Sequence, residues 1–149
     1  MTTELRPDPS QIELGRFYPR APEIVWRALT EPALLERWLM ASTGFTAEVG
    51  THFLLSVSSD ATAEIACEVL ATSPRKAMTW SWMDLRFALP PRWIVAWEVH
   101  AQGRGTRLVL THSGFDINNK RHKMARNALE RGWRQVLSTK LVAVLDDLS

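Results

Sequence analysis

Two periods of apolar recurrence run along this chain, and the switches between them outline its elements. Residues Met1 to Ser10 follow neither period and read as a loose tail. Ile12, Leu14 and Phe17 among polar neighbours predict a first strand over Gln11 to Tyr18. Behind Pro22, a residue suited to the first turn of a helix, Ile24, Val25, Ala28 and Leu29 recur at helical spacing. Pro32 disfavours helical geometry at Glu31 and predicts a break there. A second short helix follows over Ala33 to Leu39, with Leu34, Leu35 and Trp38 on one side. Beyond Gly44 the period becomes two. Phe45, Ala47 and Val49 alternate up to Gly50, then Phe53, Leu55 and Val57, with a turn at Ser58-Ser59-Asp60. Ile65, Cys67 and Val69 alternate up to a break at Ser73-Pro74, and Met78, Trp80 and Trp82 share the next face. A longer connection carries Asp84, Arg86 and Phe87 to Pro90-Pro91. Val95, Trp97 and Val99 form one further strand face and Leu108, Leu110 and His112 another, joined by a hairpin at Gly103-Arg104-Gly105. The remainder is one helix over Asn119 to Leu148, capped by Asp116, Asn118 or Asn119. Its stripe is Leu129, Trp133, Val136, Leu137, Leu141, Val144, Leu145 and Leu148.

The element order is therefore one strand, two short helices, six strands and a long helix. Consecutive strands with turn-length links favour an antiparallel sheet. One apolar face of that sheet needs a cover, and the terminal helix is the obvious one. The fold class is α+β, with residues 11–149 as a single domain behind the 1–10 tail.

Composition narrows the picture only a little. At 149 residues the chain can bury a core without disulfides or metals. A net charge of +2 is too mild to argue for nucleic acid. Cys67 is the lone cysteine, which excludes an intrachain disulfide and a cysteine-based zinc site. The polar, proline-punctuated start lacks the apolar core of a signal peptide, and no run of about eighteen apolar residues predicts a membrane span. A reducing, cytoplasmic setting is the expectation. Seven tryptophans are the unusual feature, and they suit a broad apolar interior or a binding surface.

Several stretches, in order and spacing, resemble a known superfamily. They are Arg20-Ala21-Pro22-Glu23-Ile24-Val25-Trp26-Arg27-Ala28-Leu29-Thr30, Leu35-Glu36-Arg37-Trp38, Gly50-Thr51-His52-Phe53 and Thr79-Trp80-Ser81-Trp82. Gly105-Thr106-Arg107-Leu108 follows, running on through Thr111-His112-Ser113-Gly114-Phe115, and then Gly132-Trp133 with Leu137 and Leu141. The chain from about Ile12 to Leu148 resembles the SRPBCC superfamily, which includes START domains, polyketide cyclases and the birch-pollen allergen. Within it, the chain is similar to the activator of heat-shock protein 90 ATPase homologue group. Thr51 departs from a frequent glycine, and Lys76 from a common apolar residue. The resemblance implies a helix-grip fold, in which a curved antiparallel sheet of six to seven strands wraps around a long C-terminal helix, with two short helices after the first strand. It also implies a cavity between sheet and helix, and no single chemistry, because one scaffold hosts binders, enzymes and co-chaperones.

With the concave face toward the helix, the expected cavity lining is Phe53, Leu55, Cys67, Met78, Trp80, Trp82, Trp97, Leu110 and His112 from the sheet. Trp133, Leu137, Lys140 and Leu141 join them from the helix, and Trp38 from the second short helix. Much aromatic area around few polar groups is the make-up of a small-molecule pocket; the plainer reading is a packed core. His112 is the best inward polar candidate, as a hydrogen-bond donor or proton shuttle; the plainer reading is a histidine satisfied by a backbone carbonyl or Ser113. Cys67 reads as a small hydrophobe. His52, His100, His112 and His122 lie on different elements without metal-motif spacing, so neither a metal nor a cofactor is expected. The basic run Lys120-Arg121-His122-Lys123 with Arg126 reads first as a solvated helix start, and more sharply as a patch for an acidic partner or an anionic ligand head at the cavity mouth. The cavity entrance is expected at the Met83–Arg92 connection, beside Trp38 and Ala41-Ser42, and Gly132 is expected to let the helix approach the sheet closely.

The leading function is binding of a small hydrophobic molecule. One alternative is a co-chaperone-like module whose partner is a chaperone; in that group the activator role depends on a separate N-terminal domain, for which the residues before Gln11 leave no room. Another is a cyclase- or hydrolase-type enzyme drawing on His112 with Tyr18 or Asp84. An apolar strand edge or the Met83–Arg92 connection offers a homodimer surface.

Overall fold

A computed structural model of the chain describes residues 8–56 and 64–148. Its elements are β1 (Gln11–Tyr18), α1 (Pro22–Thr30), α2 (Pro32–Trp38), β2 (Ala41–Thr43), β3 (His52–Ser56), β4 (Glu64–Ser73), β5 (Ala77–Asp84), β6 (Trp93–Gln102) and β7 (Gly105–Ser113). The last helix comprises α3 (Lys120–Gln135), a π-helical turn (Val136–Lys140) and α4 (Leu141–Leu148). The strands form one antiparallel sheet in the order β1-β7-β6-β5-β4-β3-β2, and the apolar face is covered by the last helix and by α1 and α2. This is the helix-grip arrangement that the resemblance implies. Val57 and the Ser58-Ser59-Asp60 turn lie outside the described residues, as does the tail before Asp8. Among the described residues no helix is long and apolar enough to cross a membrane.

Local chemistry places the first helices. Pro22 starts α1, and Pro32 forces Glu31 into an extended conformation (φ −88°, ψ 118°), so one residue ends α1 and begins α2. The buried Trp38 indole N–H then donates to the Ala28 carbonyl at 2.8 Å. That carbonyl belongs to the last turn of α1, where backbone acceptors lack helical partners. The bond pins the two helices together and sets the Trp38 ring edge-on to Trp97 at 5.8 Å.

One expected strand is displaced. The alternation Phe45, Ala47, Val49 does not form a strand; β2 lies earlier, at Ala41–Thr43, paired with Leu54–Ser56 of β3. Gly44 and Gly50, both at positive φ, bracket an irregular segment. Only Phe45 of the three residues is buried, against Phe53 and Trp80, while Val49 is 62% exposed. Near the departure at Lys76, Arg75 adopts φ 65° in the tight link between β4 and β5. At the hairpin, Gln102 pairs with Gly105, and a Cβ on Gly105 would collide with the Tyr18 carbonyl oxygen and the Phe17 ring. Glycine there lets β1 and β7 close together.

The terminal helix is capped by Asn119, whose side-chain oxygen accepts from the Arg121 and His122 N–H groups. Further on, Trp133, Leu137, Leu141 and Leu145 are all buried and lie four residues apart. On a helix of 3.6 residues per turn, each four-residue step drifts about 40°, roughly 120° over three steps. The single extra residue of the π-turn removes about 100° of that drift and keeps all four side chains on the sheet. The buried Tyr18 hydroxyl donates to the Leu137 carbonyl, inside that turn, at 2.7 Å. Burial raises the Tyr18 phenol's proton affinity far above its usual value, so it stays a donor. Tyr18→Phe is expected to destabilise the protein by about 1–2 kcal/mol with the fold retained, measured as a lower urea midpoint at unchanged m-value.

Candidate ligand cavity

The two halves of the terminal helix meet the sheet differently. Leu141, Val144 and Leu145 of α4 are buried, whereas Trp133 is the only buried residue of α3. One and two turns before Trp133, Ala125 and Leu129 are only partly buried against the core and Ala128 is exposed, and all three border a gap between α3 and the sheet. The stand-off leaves a cavity of about 380 Å³. Its walls are Leu39 and Met40 after α2, Ile65 of β4, Trp82 and Asp84 of β5, Arg86 on the following loop, the α3 residues just named with Gly132 and Trp133, and Val136. Ala128 and Gly132 are exposed, so the cavity opens to solvent along the helix.

The walls are apolar except for one ion pair. Asp84, 6% exposed, accepts from the Arg86 backbone N–H (2.9 Å), from Nε (2.9 Å to Oδ1) and from Nη2 (2.6 Å to Oδ2). Burial alone would raise the Asp84 carboxyl; the Arg86 hydrogen bonds and charge outweigh it and hold the group below its usual range. The carboxylate is thus ionised at neutral pH with both oxygens engaged.

Behind the cavity lies an aromatic wall. The Trp133 indole N–H donates to His112 Nδ1 at 3.1 Å, and His112 is fully buried with Trp82 at 5.1 Å and Phe115 at 5.0 Å between ring centroids. An indole only donates, so Nδ1 carries the lone pair and the proton of the neutral ring sits on Nε2. Burial lowers the His112 pKa to about 3. The partner of His112 is therefore an indole at Nδ1 rather than a backbone carbonyl or Ser113, Nε2 has no hydrogen-bond partner among the described residues, and the ring lies behind the cavity wall instead of in it.

Of the residues expected to line a cavity, Trp82 and Trp133 do so. Trp38, Phe53, Leu55, Cys67, Met78, Trp80, Trp97, Leu110, Leu137 and Leu141 are buried in the packed core. Lys140 is exposed on the solvent side of the π-turn, a correction to its inward placement. Gly132 needs correction too: a Cβ there would meet nothing within 4 Å, so this glycine leaves space rather than permitting close contact. The entrance region is near where expected, with Arg86 from the Met83–Arg92 connection and Leu39-Met40 just before Ala41. Burial raises the Cys67 thiol well above its usual range, as befits a small hydrophobe. Tyr18 is committed to Leu137, so Asp84 is the one titratable group of the enzyme reading that reaches the cavity. The sequence signal for the site was the small-residue face Ala125, Ala128 and Gly132 opposite a large Trp82. Among the described residues no three His, Cys, Asp or Glu side chains converge.

The family model described as activator of Hsp90 ATPase homolog 1-like protein matches residues 19–146. The crystal structure of protein MLL2253 from Mesorhizobium loti is similar at a TM-score of 0.81 and 31% identity, covering 93% of this chain and 98% of that one. DynU16, from the dynemicin biosynthetic locus, aligns at 0.76 and 20% identity over 94% of this chain; the match spans 48% of DynU16, about half its length. CalU16 from Micromonospora echinospora aligns at 0.68 and 22% identity, over 92% of this chain and 82% of that one. The last two share the fold alone. No curated protein sequence is significantly similar.

The His112 environment predicts a pH response. In the unfolded chain a histidine takes up a proton below about pH 6.5; in the native protein His112 refuses it until about pH 3. Its stabilising contribution is complete above pH 6.5 and is lost as pH falls through that window, on the order of 4–5 kcal/mol in all. His112→Leu leaves the Trp133 N–H unpaired and is expected to cost about 1–3 kcal/mol at neutral pH. Its stability should nevertheless fall less steeply than wild type on acidification in urea titrations; parallel curves would refute the assignment.

Proposed function

The chain belongs to the activator of Hsp90 ATPase homolog 1-like family, and on that premise we propose that it binds a small, mainly hydrophobic molecule in the cavity between α3 and the sheet. The observation that carries this reading is the cavity's make-up: about 380 Å³ with apolar walls and a single polar feature, the Asp84–Arg86 pair. Small-molecule sites span about 300–1,000 Å³ and combine apolar walls with a few fixed polar groups. The walls are held in place before any ligand arrives. Trp133 is fixed by His112, Asp84 is pinned by Arg86, and Trp82 lies 5.7 Å from Trp133. Preorganised walls cost little ordering on binding.

A catalytic use of the same space is less well supported. A general base needs a free lone pair within reach of a bound molecule. Asp84 has both oxygens engaged by Arg86, and His112 is sealed behind Trp133.

Gly132 gives a direct test. Gly132→Ala adds a methyl group to open space and replaces a helix-interior glycine, so stability should rise by about 0.5–1 kcal/mol. Gly132→Leu should fill the cavity while keeping the fold. A hydrophobic ligand at about a hundred times its Kd should raise the wild-type Tm by about 5–10 °C. The Gly132→Leu protein should show little of that rise. An equal rise in both would place the binding elsewhere.

A further inference from the structure

We infer that the cavity's ligand is an amphipathic anion, a hydrophobic monocarboxylate whose head group lies at the Arg86 end, toward Arg121. This rests on the cavity reading above and adds the chemistry of the polar end. The groups on offer there are donors. Asp84 spends both oxygens on Arg86 Nε and Nη2, which leaves Arg86 Nη1 without an acceptor among the described residues. The indole N–H of Trp82, a wall residue 2% exposed, has no hydrogen-bond partner among the described residues, a state it shares with Trp80, Trp93 and Trp97 of the packed core. The Trp133 N–H is already committed to His112. A ligand group that accepts hydrogen bonds matches this end, and one that only donates does not.

Charge points the same way. The wall helix α3 carries six lysines and arginines against one glutamate. Arg126 and Arg134 share that glutamate, Glu130, and Arg126 also donates to the Gln11 carbonyl at 2.9 Å, so these two are structural. Among the described residues no carboxylate pairs with Lys120, Arg121 or Lys123. Arg121 precedes the wall residue Ala125 by four positions and so lies on the same helix face, one turn beyond the cavity. Its guanidinium sits 4.9 Å over the Phe87 ring, and Phe87 adjoins Arg86 in the chain. Arg121 and Phe87 line a shallow pocket of their own with Ala88, Leu89, Asn119 and His122, beside the loop that carries Arg86, and of the two arginines only Arg86 has a counter-ion among the described residues. Guanidinium groups recognise carboxylates by charge-assisted hydrogen bonds. Among the described residues of the basic run, Arg121 is the uncompensated cation that touches the loop following Arg86, and Arg126 is structural.

The experiment titrates the full chain with decanoate, 1-decanol and decylamine, which share one apolar tail, at low ionic strength and at about 0.3 M salt. Calorimetry and quenching of tryptophan fluorescence report binding. Decanoate should bind about tenfold tighter than decanol at low salt, with decylamine weakest, and the gap should shrink as salt screens the arginines. Arg121→Gln, an exposed substitution that leaves the Asp84–Arg86 pair intact, should weaken decanoate about threefold or more and leave decanol unchanged. Equal or tighter binding of the alcohol or the amine, or decanoate binding untouched by Arg121→Gln, overturns the anion assignment and leaves the apolar cavity standing. Failure of all three probes to bind overturns both.

Discussion

The hydrogen bond from the Trp133 indole to His112 joins the terminal helix to the middle of the sheet, and the arrangement of the interior follows from it. The bond fixes the histidine tautomer, and burial keeps the ring neutral. It also fixes the rotation of the helix about its axis, because Trp133 must face β7. Once Trp133 is set, Leu137, Leu141 and Leu145 follow at four-residue steps onto the sheet, and Ala125, Ala128 and Gly132 are left bordering the cavity with Trp82 and Ile65. One polar contact inside an aromatic cluster therefore decides both where the helix docks and where it stands off.

The helix divides its labour along its length. The second half supplies burial, and the π-turn keeps its stripe in phase, held by the Tyr18 hydroxyl on Leu137. The first half supplies space and charge: small residues line the cavity, and six lysines and arginines lie along α3. Loss of buried area in α3 is tolerable because Trp133 and the α4 leucines carry the docking. A region with few buried apolar contacts on one side of a fixed anchor is where binding sites are compatible with stability.

The strand pattern was largely legible in the chain because alternation over long strands is a strong local signal. β4 to β7 lie where Ile65, Cys67, Val69, Met78, Trp80, Trp82, Val95, Trp97, Leu108 and Leu110 put them. The segment after Gly44 was not legible. Phe45 is buried as a single ring against Phe53 and Trp80, and two glycines at positive φ bend the chain away from pairing. The site was half legible: Trp82, Trp133 and the Met83–Arg92 connection are at the cavity, but ten other expected lining residues close up into solid core. Parity along a strand says which residues face inward; it does not say whether the opposing surface touches them.

By itself the sequence determined the sheet, its antiparallel order of elements, the helix that must cover it and the inward set of aromatics, because each of these depends on local period, turn residues and prolines. Tertiary structure alone decided the rest. That Trp133 donates to His112, that Arg86 consumes both oxygens of Asp84, and that Gly132 faces open space are facts about distances between elements far apart in the chain. A cavity is a mismatch between two packed surfaces, and no single strand or helix carries the information that its partner will fall short.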